Sequence, residues 1–322
     1  MRTAVNPNGV LLSGGREQAT ITPPETEPVR RPAAPSLSAL FSSTRRLDLN
    51  LSLIVFLVLV IGVLYASVLF RLSLDWWNDP DYGHGMLVPI FSAYVIWTSL
   101  RSYGPLPWQP ARSGLAVIFV AMALLTAGFF GAELFLSRVS FLVLLAGLVL
   151  ALAGRPLLTA VRFPLFYLLF MIPLPQIIYN QITFPLQLFT SRLASDCLRI
   201  VGIPVLREGN LVFVPHYSLE VAQACSGIRS LMSLVALSVA YGYFAEKRLW
   251  ARIALAGFMV PVAIFCNGIR VFGSGLLGNY FGPELAEGFF HAFSGWLIFI
   301  TAAFLMFFLH AMLKKRMLNR HD

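Results

Sequence analysis

The sequence has few charged residues for its length. Of its 322 residues, 12% are charged, whereas soluble globular proteins carry about 25%. So few charges could not cover a soluble surface, and a hydrophobic content of 57% exceeds what a soluble core of this length needs. These absences exclude a soluble domain and predict a polytopic membrane protein.

Cysteine is also scarce. Cys197, Cys225 and Cys266 are too few and too scattered for a disulfide framework, and no CxxC pair suggests a metal site. The cysteines therefore indicate neither a disulfide scaffold nor a cysteine-based metal site. The net charge of +9 does not indicate nucleic acid, because basic residues of membrane proteins collect in cytoplasmic loops.

The apolar runs predict an all-α fold with about eight transmembrane helices in a lipid bilayer, since each crossing needs about 20 apolar residues. The candidate spans are 51–70, 86–100, 114–131, 138–154, 159–174, 225–244, 250–270 and 291–312.

The basic residues predict the orientation. Lys and Arg gather in 1–47, 101–113, 155–162, 245–252 and 313–322, which places both termini in the cytoplasm. Residues 1–47 are proline-rich and polar and predict a disordered cytoplasmic tail. The predicted organisation is this tail, a membrane domain over 48–313 and a basic cytoplasmic tail over 314–322.

Residues 175–224 form the longest outer segment, too polar and too interrupted to span. Apolar residues follow helical spacing from Leu186 to Ile200, while Arg192, Asp196 and Arg199 share the opposite face. This pattern predicts a helix that begins at Pro185 and lies in the outer interface over 185–200. Residues 211–221 predict an extended segment.

Three reactive residues lie at one predicted depth on the outer side. Cys225 opens a span, Arg270 ends the next span and His291 begins the last one. Each has an ordinary alternative role, as a packing residue, an interfacial anchor and a solvated side chain respectively. Together they predict a thiol enzyme.

The chemistry requires these residue types. A helix N-terminus and a nearby cation favour the nucleophilic thiolate of Cys225. His291 could act as base and then protonate a leaving amine, and Arg270 could stabilise an oxyanion. Spacing favours Arg229, four residues after Cys225, as the activating cation. Asn267 shares a helix face with Arg270 and could orient it.

Two further residues are accessory candidates. His84 lies between two glycines at the mouth of a span and could line the site. Arg192 could bind an acidic substrate motif, although an ordinary ion-pair stripe on a surface helix explains it equally well.

The motifs resemble those of the exosortases, a group of integral-membrane cysteine transpeptidases. The resemblance rests on the run ACSGIRS (224–230), on NGIR (267–270), and on His291 followed by Gly295. Supporting matches are YGHG (82–85), IPLP (172–175) and PLQ (185–187), and the resemblance covers roughly residues 75–310.

The resemblance implies a cysteine peptidase or transpeptidase of the bacterial inner membrane, with Cys225, Arg270 and His291 catalytic at the periplasmic face. It implies substrates that are exported proteins with a C-terminal tripartite sorting signal of the PEP-CTERM type. The acyl group would pass through a Cys225 thioester to an acceptor nucleophile of unknown identity, and the process would be linked to exopolysaccharide or envelope sorting. It also favours Arg270 over Arg229 as the activating cation. No metal or organic cofactor is expected, since thiol acyl transfer needs none.

Two other functions remain open from the residues alone. One is a membrane transporter, although few charges lie deep in the spans. The other is a lipid-carrier glycosyltransferase, for which Asp75, Asp79 and Asp81 supply an outer acidic cluster.

Overall fold

The computed structural model describes residues 37–103, 109–221, 227–287 and 289–318. The chain divides into two units, residues 1–59 and 60–322. In the first unit the described residues belong to helix α1 (Leu37–Asn78). Helix α1 begins inside the predicted tail, and the division into 1–47, 48–313 and 314–322 stays a prediction.

The rest of the described chain is mainly helical, with one small sheet. The helices are α2 (Leu87–Tyr103), α3 (Ser113–Phe130), α4 (Leu134–Leu152), α5 (Arg155–Tyr167), α6 (Gln176–Ile200), α7 (Ile228–Ala245), α8 (Leu249–Phe281), α9 (Pro283–Glu287) and α10 (Phe289–Leu318). Short 3-10 turns lie at Gly83–Met86 and Leu168–Met171. The strands are β1 (Leu206–Glu208), β2 (Leu211–Val214) and β3 (Tyr217–Glu220).

Six of the described helices are long and apolar enough to cross a membrane: α1, α3, α4, α7, α8 and α10. A seventh span results if α5, with the 3-10 turn that follows it, and α6 form one span bent by 74°. Helix α2 has only 17 residues. The all-α polytopic membrane class is confirmed, whereas about eight spans and the N-in, C-in orientation stay predictions.

The helices place large side chains outward and small ones between helices. Phe129 and Phe130 of α3 are 78% and 82% exposed, as expected where hydrocarbon is the solvent. On the inner side, a Cβ on Gly114 of α3 would lie 2.3 Å from the backbone nitrogen of Ala151 in α4. Small residues allow this close approach, which supplies the van der Waals contact that holds membrane helices together.

Helix α6 differs from the prediction at its start. The predicted start at Pro185 is wrong, because α6 begins at Gln176 and contains Pro185. Pro175 ends the preceding extended turn and caps the helix. A proline inside a membrane helix is tolerated where neighbouring groups satisfy the freed backbone carbonyl.

The packed face of α6 is polar and small. Its buried residues include Thr183, Gln187, Thr190, Ser191 and Ser195. Phe189 and Ile200, from the apolar stripe, are 54% and 83% exposed. Leu193, from the same stripe, packs against Gly268 of α8, so the stripe is divided between contact with a neighbouring helix and exposure on the surface of the unit.

The predicted extended segment at 211–221 is confirmed. Strands β2 and β3 pair antiparallel, with Val212 opposite Leu219, and β1 pairs with the other edge of β2. Val212, Val214 and Leu219 are buried with residues of α6 and α8. After β3, the chain thus continues through Val221 into the segment 222–226, which lies outside the described residues.

Helix α8 is longer than predicted. Arg270 does not end the span, because α8 continues for eleven residues to Phe281. Gly268 and Gly275 let α6 approach: a Cβ at these positions would lie 2.3 Å from Leu193 and 2.9 Å from Leu198. No proline follows Arg270 before Pro283, so the helix has no break in this stretch.

We predict that Gly114→Ala destabilises the protein by about 1–3 kcal/mol, because the new methyl group would overlap the backbone of Ala151. Gly257→Ala is the matched control, since a Cβ there meets no atom within 4 Å; it should stabilise α8 by about 0.5–1 kcal/mol. The measurement is the free energy of unfolding in mixed micelles. Equal effects of the two variants would contradict the packing described above.

Candidate active site

The turn before α7 is built around Gly227. This residue has φ +81°, in the left-handed region, and its carbonyl oxygen accepts the amide of Leu231 in the first turn of α7. A Cβ on Gly227 would lie 2.8 Å from Cγ of Asn267. Glycine is required here both by the backbone conformation and by this contact.

Cys225 itself lies outside the described residues, two positions before Gly227. The span predicted to open at Cys225 is described from Ile228, where α7 begins. The position of the thiol therefore stays a prediction. What the structure describes is that the turn following it rests on α8.

Helix α8 also reaches α10. Arg270 is half-buried, and its Nε donates a hydrogen bond to Oγ of Ser294 at 3.3 Å. Ser294 is buried and lies one helical turn after His291, which is the third residue of α10. The side chain of His291 is outside what the structure describes, but its backbone belongs to the turn that precedes this hydrogen bond.

One stretch of α8, which carries Arg270, therefore contacts the described turns that follow positions 225 and 291. Asn267, which is 2% exposed, supports the turn after Cys225, and Arg270, three residues later, holds the helix that carries His291. Residues three apart share a face of a helix. This single face of α8 brings the starts of α7 and α10 together.

Arg229 forms an ion pair with an acidic residue of the loop after α1. Its Nε donates to Oδ1 of Asp81 at 2.9 Å, and Oδ2 of Asp81 accepts the hydroxyl of Tyr179. The Asp81 side chain is 14% exposed and that of Arg229 is 45% exposed. The loop after α1, the start of α6 and the start of α7 are joined at this carboxylate.

The other carboxylates of this loop act separately. Asp75 pairs with Arg138, a buried arginine of α4, and Asp79 accepts the backbone amide of Asp81. Among the described residues, no group of three or more His, Cys, Asp or Glu could hold a metal ion. Of the three acidic residues that suggested a glycosyltransferase, Asp75 and Asp81 are thus each paired with an arginine, and Asp79 stabilises a turn.

His84 is enclosed next to this loop. Neither ring nitrogen has a hydrogen-bond partner within the described ranges. Burial lowers the pKa of His84, and the backbone carbonyls of Phe170 and Asp81 oppose that shift only in part. A Cβ on Gly85 would overlap the Trp76 indole, at 2.5 Å from its nitrogen, so the loop lies directly against that ring.

Arg192 is exposed on α6, away from the buried face of that helix. Nearby, Arg199 pairs with Asp196, and both side chains are more than half exposed. Such pairs contribute little to stability. The structure places Arg192 on a solvent or lipid surface, and its role in substrate binding stays a prediction.

A polar cluster at the opposite ends of α7 and α10 was not predicted. The hydroxyl of Tyr241 lies 2.7 Å from Nδ1 of His310, and Nε2 of His310 lies 2.8 Å from Oε1 of Glu246. A charged carboxylate can only accept, so Nε2 donates to Glu246. The available signal was a histidine within an otherwise apolar span, since such a residue needs a partner.

Residues 76–308 match a family model described as Transmembrane exosortase (Exosortase_EpsH). The chain belongs to the transmembrane exosortase family. The match includes every catalytic and accessory position predicted above. Comparison with curated proteins finds no match, and comparison with solved structures finds none either.

Family membership has a general functional meaning for this exosortase. It supports a membrane enzyme of the cysteine transpeptidase type whose substrates are proteins with sorting signals. It favours this function over the transporter and the glycosyltransferase. The roles of individual residues in the exosortase stay predictions.

The contact between Gly227 and Asn267 leads to a prediction about stability. Gly227→Ala should destabilise the exosortase by more than Gly202→Ala, because only Gly227 of this pair faces another side chain. Gly202 is the matched control, since it has φ +86° and a Cβ added there would meet no atom within 4 Å. Left-handed backbone alone costs a non-glycine residue about 1–2 kcal/mol, and the contact with Asn267 should add about 1 kcal/mol.

The measurement is the free energy of unfolding of both variants in mixed micelles. Equal losses would mean that the turn can move away from Asn267 at no cost, which would contradict the support of the turn by α8.

Proposed function

We propose that this exosortase cleaves C-terminal sorting signals of exported proteins through a thioester on Cys225. The observation that carries the proposal is the face of α8 on which Asn267 supports the turn after Cys225 while Arg270 bonds to the turn after His291. A nucleophile, a cation and a base from three elements would thereby act on one peptide bond.

The first step forms the acyl-enzyme. The Cys225 thiolate attacks the carbonyl carbon of the scissile bond, and Arg270 donates hydrogen bonds to the oxygen as it becomes negative. The carbon–nitrogen bond then breaks, and the protonated His291 gives its proton to the leaving amine. A thioester to Cys225 and a neutral His291 remain.

The second step releases the product. An acceptor, either an amine or water, attacks the thioester carbonyl and loses a proton to His291. The carbon–sulfur bond breaks and restores the Cys225 thiolate beside a protonated histidine. The chemistry is complete with these side chains, so transfer and hydrolysis differ only in the acceptor.

The cellular setting completes the proposal. The enzyme lies in the bacterial inner membrane with its site at the periplasmic face, and its substrates carry a PEP-CTERM-like signal of short motif, transmembrane helix and basic cluster. Sorting of such proteins would serve exopolysaccharide or envelope assembly. The support is family membership together with the basic segments that predict cytoplasmic termini.

We predict that cells producing the wild-type protein trim a tagged reporter that ends in a tripartite signal. Cys225→Ala should abolish trimming because it removes the nucleophile. Arg270→Gln should reduce the rate by about 10²–10³-fold, the usual effect of losing an oxyanion donor. His291→Ala should also abolish trimming or leave a persistent acyl-enzyme that intact-mass analysis detects.

Matched controls separate chemistry from folding. Cys197→Ala, Arg162→Gln and His216→Asn change the same residue types at positions outside the site, and each should trim the reporter at the wild-type rate. All variants are compared at equal amounts in the membrane fraction. Trimming by Cys225→Ala at the wild-type rate would overturn the proposed nucleophile.

A pair of fusions tests the orientation. With both termini cytoplasmic, green fluorescent protein fused after Asp322 should fluoresce and alkaline phosphatase at the same position should be inactive. Phosphatase fused after Gly282, between α8 and α9, should be active because the site would face the periplasm. The reverse pattern would place the site in the cytoplasm and exclude exported substrates.

A further inference from the structure

Asp81 uses both of its carboxylate oxygens. Oδ1 accepts from Nε of Arg229 and Oδ2 accepts from the hydroxyl of Tyr179. The side chain is largely buried, so these two donors replace most of the water that would otherwise solvate the charge. A hydrogen-bonded pair in such surroundings is held more firmly than an exposed ion pair.

The loop that carries Asp81 is itself fixed. The amide of Asp81 bonds to the side chain of Asp79 at 2.9 Å, and the amide of Gly85 bonds to the carbonyl of Tyr82 at 2.8 Å. The indole nitrogen of Trp76 donates to a carbonyl of the turn after α5 at 2.8 Å. Asp81 therefore cannot move with the Arg229 side chain if that side chain changes conformation. The ion pair thus keeps the guanidinium group of Arg229 at the loop.

The loop also has a negative potential. The pKa of Tyr82 is raised to about 12, first by burial and then by the carboxylates of Asp79, Asp81 and Asp75. Such a potential stabilises the positive charge of Arg229 beside it. Arg229 is thus drawn toward the loop, while Arg270 reaches α10 from the middle of α8.

We propose that Asp81 is a positioning residue for the thiol chemistry: it compensates the charge of Arg229 and so makes Arg270 the cation that acts at Cys225. This inference rests on the proposed function. It decides between the two arginines that spacing and family resemblance favour differently. The described charged and titratable groups around this end of the unit include Asp75, Asp79, Asp81, Tyr82, His84, Arg138, Tyr179, Arg229 and Arg270.

The test measures how readily the Cys225 thiol ionises. In full-length protein in detergent micelles, Cys197→Ala and Cys266→Ala leave Cys225 as the single thiol. Its alkylation by iodoacetamide is followed by intact mass as a function of pH. Because only the thiolate reacts, the midpoint of the rate profile gives the apparent pKa of Cys225.

Asp81→Asn keeps the shape of the side chain and removes its charge. It should lower the apparent pKa of Cys225 by about 0.5–1 pH unit, because the charge of Arg229 is then no longer compensated. The matched control is Asp196→Asn, which removes the acid of an exposed pair on α6 and should leave the profile in place. An unchanged profile for Asp81→Asn would overturn the proposal.

The double variant Asp81→Asn with Arg229→Gln removes both charges and decides which arginine acts. A compensated pair has little net effect, so the double variant should return the apparent pKa of Cys225 to its wild-type value. If it instead raises that value as far as Arg270→Gln does, Arg229 activates the thiol directly and the proposal fails. This variant also decides the question if Asp81→Asn alone does not accumulate.

The outcomes separate this inference from the proposed function. If Arg270→Gln raises the apparent pKa of Cys225 and reduces reporter trimming while Asp81→Asn changes nothing, only the role of Asp81 is wrong. If Cys225→Ala still trims the reporter, the proposed nucleophile is wrong, whatever the alkylation profiles show.

Discussion

The close approach of neighbouring chain segments to helix α8 is the constraint on which the rest of the structure depends. Glycines at selected positions of α8 let other elements touch its backbone. In hydrocarbon, this van der Waals contact replaces the hydrophobic effect as the force that packs helices together. Gly268 and Gly275 admit α6, and Gly278 admits the ring of Tyr217 from β3. The same helix presents Asn267 to Gly227, so the packing of the unit and the geometry of the site share one surface.

The low dielectric constant of the membrane also restricts where charged side chains can lie. A buried charge is costly unless it is paired and hydrogen-bonded. Arg138 meets Asp75, Arg229 meets Asp81, and Glu246 meets His310. Each of these pairs joins segments that are distant in the chain, so each of these groups has a specific partner.

The sequence predicted the fold class and the family because both depend on strong signals: apolar runs for the fold class and the motif around Cys225 for the family. It could not predict where α8 ends, because the residues after Arg270 remain compatible with helix through Phe281. It misplaced the start of α6, because proline is typical of a first helical turn but Pro185 lies inside this helix. Spacing along the chain could not reveal the partner of Arg229 in the structure, because Asp81 lies 148 residues before it and bonds to it across the fold.

The two hydrogen-bonded contacts of α10 have a mechanical consequence. The helix is continuous from Phe289 to Leu318, and Ser294 near one end bonds to Arg270 while His310 near the other bonds to Glu246. These anchors are about 24 Å apart at 1.5 Å per residue. Two anchors on one continuous helix oppose both its sliding along its axis and its rotation about that axis, so the register of α10 against α7 and α8 is set near both of its ends at once.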